Sequence, residues 1–167
     1  MLSIKTQYTQ LLSSFTESKK SVWGSTPAAS NSTTLTSEIV TFLLKQAIIN
    51  RASDVHLEPR PEKVIVRYRI DGKLHEVLEV ETNANINILP RIKLLSGIPT
   101  DLASSKKSWD GRFSSDINGN KFDFRVATFP TILGDKIAIR IIVKGSDTVD
   151  LKKIGLTPND GLRLERI

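Results

Sequence analysis

The sequence predicts an α+β domain: a mostly antiparallel six-stranded sheet with helices packed on one face. Two observations predict this class. Some segments repeat apolar residues at helical spacing, and others alternate apolar with polar residues, as half-buried strands do. The predicted elements follow the order helix, three strands, helix, three strands, helix, without an internal repeat. This order favours antiparallel strands with helices gathered on one side.

The first helix of the compact body is predicted over residues 36–53, with apolar residues at 39, 40, 43, 44, 47 and 48. Thr36 is the predicted N-cap, and Glu38 lies in the first turn, where a carboxylate is favourable. A second helix is predicted over residues 83–98, with a kink or restart at Pro90 and a stop at Gly97. A last helix is predicted to begin near Pro158.

Six strands are predicted, and short turn signals separate most of them. "DGK" at 71–73 predicts a hairpin, "NGN" at 118–120 predicts a second turn, and "PTILGD" links the last two strands. The predicted strands cover residues 54–59, 63–71, 74–80, 111–117, 120–129 and 135–143.

Three regions are predicted along the chain. Residues 1–35 form an N-terminal segment: 1–15 suit a short amphipathic helix, and 16–34 are rich in Ser, Thr, Pro and Gly, which is typical of a flexible linker. A disordered tail and a docking segment remain alternatives for this region. Residues 36–145 form the compact domain, and residues 146–167 form a linker and the start of a helix.

Composition excludes several classes of function. The chain has no cysteine, which excludes disulfides and thiolate chemistry and suits a cytoplasmic location. No apolar run approaches the roughly 18 residues of a membrane span. The net charge of +6 comes from basic residues spread along the chain among acidic ones. A generic basic surface is therefore favoured over a nucleic-acid footprint.

The stretch "ASDVHLEPRPEKVIVRYRIDGKL" at 52–74 raises the question of metal or acid–base chemistry. Asp54, His56 and Glu58 are two residues apart along a strand and so share one face. His75 is the only other histidine in the chain. A structural hydrogen-bond cluster is therefore favoured over a metal site, and no metal ligand is predicted.

Nucleotide hydrolysis requires a phosphate-binding loop of the form G-x-x-x-x-G-K-[ST]. The only Gly-Lys pair is Gly72-Lys73, which is followed by Leu74 inside a hairpin turn. No complete hydrolytic site is predicted, and this chain alone is not expected to be an enzyme.

Two arginines nevertheless suggest phosphate binding. Arg125 and Arg140 each lie in the middle of a predicted strand, on the face opposite its apolar residues. If these strands pair, both guanidinium groups can approach one anion, and the planar guanidinium group binds phosphate bidentately. The alternative is that each arginine pairs with a nearby acid such as Asp123 or Asp135.

Several spaced segments resemble one family in the same order. "ASDVHLEP", "VIVRYRIDGKL", "RIKLLSGI", "DGRF", "FRVATFPTILGDKIAIRII" and "DLKKIGL" resemble the second N-terminal domain of the type II secretion and type IV pilus assembly ATPases. The resemblance covers residue 37 to the end of the chain. It departs from the family at Ser108-Trp109, where family members usually carry Pro-Gln before "DGR".

The resemblance implies a PAS-like domain of a hexameric cytoplasmic motor, peripheral at the inner membrane through secretion or pilus platform proteins. ATP and Mg²⁺ would bind only together with a RecA-like domain, whose motifs are expected beyond this chain. Arg125 and Arg140 match family arginines that reach the nucleotide phosphates. Gly155 and Leu156 match a segment that borders the adenine. A non-catalytic interaction module that binds a secretion or pilus partner is the alternative.

Overall fold

The computed structural model describes residues 3–20, 29–82, 87–101 and 106–143. Its helices are α1 (Ile4–Lys20), α2 (Ala29–Ile49) and α3 (Ile88–Leu95). Its strands are β1 (Asp54–Pro59), β2 (Lys63–Ile70), β3 (Lys73–Glu81), β4 (Trp109–Ile117), β5 (Asn120–Thr131) and β6 (Gly134–Val143). The six predicted strands are confirmed with small changes at their ends. The helix expected near Pro158 lies outside the described residues.

All six strands form one antiparallel sheet in the order β3-β2-β1-β6-β5-β4. Two three-stranded meanders, β1 to β3 and β4 to β6, are joined edge to edge where β1 pairs with β6. The α+β class and the antiparallel sheet are thus confirmed.

Three tight turns set the strand register. Asp71 and Gly72 have φ values of 48° and 79°, and Asn118 and Gly119 have 56° and 78°. Two consecutive residues with positive φ are typical of type I′ hairpins, whose twist matches that of paired strands. The link between β5 and β6 is shorter than predicted, because the strands continue until Thr131 pairs with Gly134.

The helices cover one face of the sheet and enclose a single core. Alternate residues of the strands are buried on this face, and the spacing in α2 places its apolar residues against them. The Tyr68 hydroxyl donates a hydrogen bond to the Leu43 carbonyl of α2 at 2.7 Å, within this core. The largest fully buried side chains include Tyr68, Phe124, Ile39, Leu57, Ile88, Ile92, Ile137 and Ile139.

The prediction that Thr36 caps the first helix is wrong. Helix α2 begins at Ala29, so Thr36 lies inside it and is buried. Extending a helix already formed adds one hydrogen bond per residue, which outweighs the modest helix propensity of Ser, Thr and Asn. Helix α2 crosses the boundary predicted at residues 35 and 36.

The structure describes helices on both sides of residues 21–28, and these central residues of the predicted linker lie outside the described residues. The predicted amphipathic helix is confirmed as α1, which continues to Lys20. It packs on the domain: Tyr8 is buried with its ring 6.3 Å from that of Phe42, and the Gln46 amide donates to Gln7 Oε1 at 2.6 Å. The described part of this segment therefore docks on its own domain.

Helix α3 ends in a hydrogen-bonded capping motif at Gly97. After α3, the N–H of Gly97 bonds to the Leu94 carbonyl and that of Ile98 to the Lys93 carbonyl, with Gly97 at φ 69°. This is a Schellman motif, and it confirms Gly97 as the stop. Pro90 produces no kink, because it occupies the first turn, where backbone N–H groups lack helical partners anyway.

Among the described residues, no helix is both long and apolar enough to cross a bilayer.

Gly111 on β4 lies against the end of α3. A Cβ at this position would lie within 2.4 Å of the Ser96 carbonyl oxygen and 2.8 Å of Ile98 Cγ1. Replacing Gly111 with alanine forces α3 away from the sheet. We expect Gly111→Ala to lower the free energy of unfolding by about 1–3 kcal/mol, measured by urea denaturation.

Lys121→Ala provides the control, because Lys121 is exposed on the neighbouring strand. Its effect should stay within about 0.5 kcal/mol. Equal stability of Gly111→Ala and the unmodified chain would contradict this packing.

Candidate functional site

The face of the sheet opposite α2 and α3, called the open face here, carries most of its charged groups. One row crosses it at right angles to the strands, because residues paired in register lie side by side. From β4 to β2 this row contains Arg112, Arg125, Arg140, Asp54 and Arg69.

Arg125 and Arg140 are direct partners in the pairing of β5 with β6. Their Cα atoms therefore lie about 4.5–5.5 Å apart. Both side chains are exposed, and that of Arg140 is 71% exposed. The structure brings these two predicted site residues together on one surface.

A depression of about 610 Å³ lies over these arginines. Gly111, which has no side chain, and the small residues Ala127 and Ala138 line it together with the charged Arg112, Arg125 and Arg140. Small residues beside long ones leave room for a ligand to approach the guanidinium groups.

The acids expected as alternative partners bind elsewhere. Asp135 accepts a 2.8 Å salt bridge from the buried Lys93, and Asp123 accepts a hydrogen bond from Ser114. Arg140 pairs instead with Asp54, whose Oδ1 accepts from Nε at 3.1 Å. In the described part of the chain, the Arg125 side chain has no hydrogen-bond or salt-bridge partner.

The two carboxylates of β1 each connect the strands on both sides. Asp54 lies 3.1 Å from Arg140 of β6 and 3.4 Å from Arg69 of β2. Glu58 accepts bonds of 2.6 Å from Lys136 of β6 and 2.8 Å from Arg67 of β2. The structural role predicted for Glu58 is this cross-strand bridging.

These contacts favour the charged form of both acids. The hydrogen bond from Lys136 lowers the pKa of Glu58 below its usual value, and the charge of Arg67 lowers it further. Burial acts to raise the pKa of Asp54, but hydrogen bonds from Ser53 and Arg140 outweigh it, so this pKa is also lowered. Both groups are therefore carboxylates at neutral pH.

His56 lies between these acids on β1 and is half-buried. Desolvation lowers the pKa of His56, and the guanidinium of Arg69 lowers it further. The imidazole is therefore neutral at pH 7, and its buried Nε2 contacts no hydrogen-bond partner among the described residues. The neighbouring carboxylates of Asp54 and Glu58 bind cationic side chains of β2 and β6. This cluster therefore stabilises the sheet. Within the described ranges, no group of His, Asp and Glu residues is placed to hold a metal ion.

Arg112 was not predicted as a site residue. The sequence could have indicated it, because counting back from the Asn118-Gly119 turn places Arg112 opposite Arg125. Gly155 and Leu156 lie outside the described residues, so their assignment to the adenine stays a prediction.

The sequence departs from the family pattern at Ser108-Trp109. Strand β4 begins there at Trp109, whose backbone N–H donates a hydrogen bond to Thr128 Oγ1 at 3.2 Å.

Fold and site together define a class of module: an α+β domain that covers one face of its sheet with helices and exposes arginines on the other. A sequence profile described as "Type II/IV secretion system protein" matches residues 29–167. The chain belongs to this family.

Individual relatives agree with this assignment. Protein transport protein HofB homolog of Escherichia coli is 34% identical over 121 residues, which is 72% of this chain and 26% of that protein. Type II secretion system protein E of Pseudomonas aeruginosa is 33% identical, covering 73% of this chain and 24% of the relative. Type IV pilus assembly ATPase PilB of Myxococcus xanthus is 34% identical, and the match covers 71% of this chain and 21% of that protein. The chain thus spans about a quarter of these relatives.

A solved structure has the same fold. The X-ray structure of the Legionella pneumophila ATPase DotB aligns with a TM-score of 0.54 at 19% identity. The alignment covers 74% of this chain and 34% of that one.

The bridging by Glu58 predicts a pH dependence of stability. Because the pKa of Glu58 is lowered in the folded state, its contribution is complete above the ordinary value of about 4.5 and is lost as pH falls through the folded-state pKa. We expect Glu58→Gln to lower the free energy of unfolding at pH 7 by about 1–3 kcal/mol. Denaturant titrations between pH 7 and 3 should show this deficit shrinking in the acid range.

Glu76→Gln is the matched control, because Glu76 is half-exposed and lies 3.5 Å from the same Arg67. It should change stability by less than about 0.5 kcal/mol. A Glu58→Gln deficit that is the same at every pH would contradict the bridging role.

Proposed function

We propose that this domain is the nucleotide-sensing N-terminal part of a secretion or type IV pilus assembly ATPase. Arg125 and Arg140 would contact the phosphates of ATP bound on a RecA-like motor domain. The observation that carries the proposal is the direct opposition of these two exposed arginines beneath a depression on the open face. A motor domain as the partner is supported by the family, whose members include the type IV pilus assembly ATPase PilB of Myxococcus xanthus.

The contacts of Arg140 suit this role. Only its Nε donates to Asp54, so N–H groups of the two terminal nitrogens remain for a phosphate. Asp54 thereby orients the guanidinium before a ligand arrives, which reduces the entropy lost on binding. Arg125 adds a second charge without a competing carboxylate among the described residues.

ATP would be held between the two domains, with Mg²⁺ bound together with the motor domain. The arginines of this chain would then add binding energy only when the domains are closed. A ligand shifts such an equilibrium by its difference in affinity for the two states. ATP would therefore bias the hinge towards closure. We place the assembled enzyme in the cytoplasm as a hexamer that works with inner-membrane platform proteins.

A second candidate function is an interaction module without a nucleotide. The turn between β5 and β6 supports it, because Ile132 is fully exposed and Phe129 and Leu133 are about half-exposed. Clustered exposed apolar residues are typical of contact surfaces. This module would bind a secretion or pilus partner equally well with or without ATP.

The phosphate role predicts a loss of turnover in a protein that joins this domain to a RecA-like motor domain. Arg125→Ala and Arg140→Ala should each lower kcat for ATP hydrolysis by about 100-fold, the size expected when one preorganised electrostatic contact is removed. Circular dichroism should show an unchanged fold, because both side chains are exposed.

Arg60→Ala serves as the control, since Arg60 is also exposed and the one ion pair of its side chain among the described residues is with Glu58 at 3.8 Å. Its turnover should match that of the unmodified enzyme. Normal hydrolysis by both Arg125→Ala and Arg140→Ala would refute the phosphate role.

A further inference from the structure

A third arginine lies in line with the first two. Arg112 of β4 pairs in register with Arg125, which pairs in turn with Arg140. Neighbouring strands lie about 4.8 Å apart, so the three positions extend over about 10 Å across the sheet. Arg112 is exposed and lines the same depression. These three residues are called the arginine row.

The arginine row places like charges side by side without a carboxylate between them. Like charges directly opposite each other destabilise a sheet. Arg140 has Asp54 as a partner, but the side chains of Arg112 and Arg125 form no salt bridge or hydrogen bond within the described ranges. Folding of the free domain does not need this arrangement, and an anion lying along the row would relieve its repulsion.

The surroundings of the arginine row indicate the shape of this anion. Asp54 follows Arg140 in the same row, and Asp110 lies on β4 one row away from Arg112. Both carboxylates line the depression and repel negative charge at its margins. The surface that attracts negative charge is therefore limited to the three arginines. A linear anion with several linked charges can contact all three of them, whereas a single phosphate cannot.

We propose that Arg112 is a third phosphate-binding arginine and that the arginine row favours a chain of three linked phosphates over shorter ones. This inference rests on the proposed function, because it extends the site formed by Arg125 and Arg140. The terminal phosphates of a nucleoside triphosphate and free inorganic tripolyphosphate share the required chemistry. Loss of one phosphate on hydrolysis would shorten the anion and leave one arginine without a partner.

The test uses the 167-residue chain itself with inorganic tripolyphosphate, pyrophosphate and monophosphate at matched ionic strength. Thermal unfolding would report the apparent dissociation constant of each anion, because a ligand of the folded state raises Tm. We expect tripolyphosphate to bind tighter than pyrophosphate, and pyrophosphate tighter than monophosphate. Raising the salt concentration should weaken all three.

Arg112→Gln should weaken tripolyphosphate binding about fivefold or more, as expected for one lost charged hydrogen bond. It should leave pyrophosphate binding nearly unchanged. Without ligand, its Tm should equal or exceed that of the unmodified chain, because repulsion within the row is removed. Lys121→Gln, which removes a charge outside the row, should leave all three dissociation constants unchanged.

Repeating the titration with ATP, in a protein that joins this domain to a RecA-like motor domain, distinguishes the two sources of the anion. Sensitivity to Arg112→Gln with both ATP and tripolyphosphate supports the proposal for either source. Unchanged tripolyphosphate binding in Arg112→Gln, with a loss in Arg125→Gln, would overturn the role of Arg112 and leave the two-arginine site standing. Equal binding of all three phosphates by the unmodified chain, or no binding at all, would overturn the preference for three linked phosphates.

Discussion

The pairing of β1 with β6 is the contact on which the rest of the domain depends. It joins two meanders that otherwise share only the helices above them. Asp54 and Glu58 strengthen this junction, because each binds a cation from both adjoining strands. The same junction brings the arginines of β5 and β6 beside Asp54. The stability of the sheet and the geometry of the candidate site therefore have one physical origin.

One-sided packing leaves the candidate site exposed. Helices α2 and α3 bury one face, where the Tyr68 hydroxyl binds the Leu43 carbonyl and the buried pair Lys93–Asp135 links α3 to β6. On the open face, Asp54 and Glu58 bind cationic side chains of both neighbouring strands. A motor domain approaching this face would meet arginines already placed by β4, β5 and β6. Little backbone rearrangement would be needed for phosphate contact.

The sequence predicted the features that depend on neighbouring residues, which are the hairpin turns and the sheet face on which a side chain lies. Asp71-Gly72 and Asn118-Gly119 mark their hairpins because positive φ favours these residues, and alternation in β5 and β6 places Arg125 and Arg140 on the same face. Contacts between distant segments were not predictable in this way. The docking of α1 by Tyr8, the pair Lys93–Asp135 and the close approach of Gly111 to α3 depend on how separate elements pack.

In the proposed function, the arginines of the open face bind the phosphates of a nucleotide held by a second domain. The most direct measurement is the affinity of this chain for a separately supplied RecA-like domain of the family, with and without a non-hydrolysable ATP analogue. We expect association that requires the analogue and weakens when Arg125 and Arg140 are both replaced by glutamine. Association that is equally tight without nucleotide, and unchanged in the double variant, would contradict it and favour an interaction module.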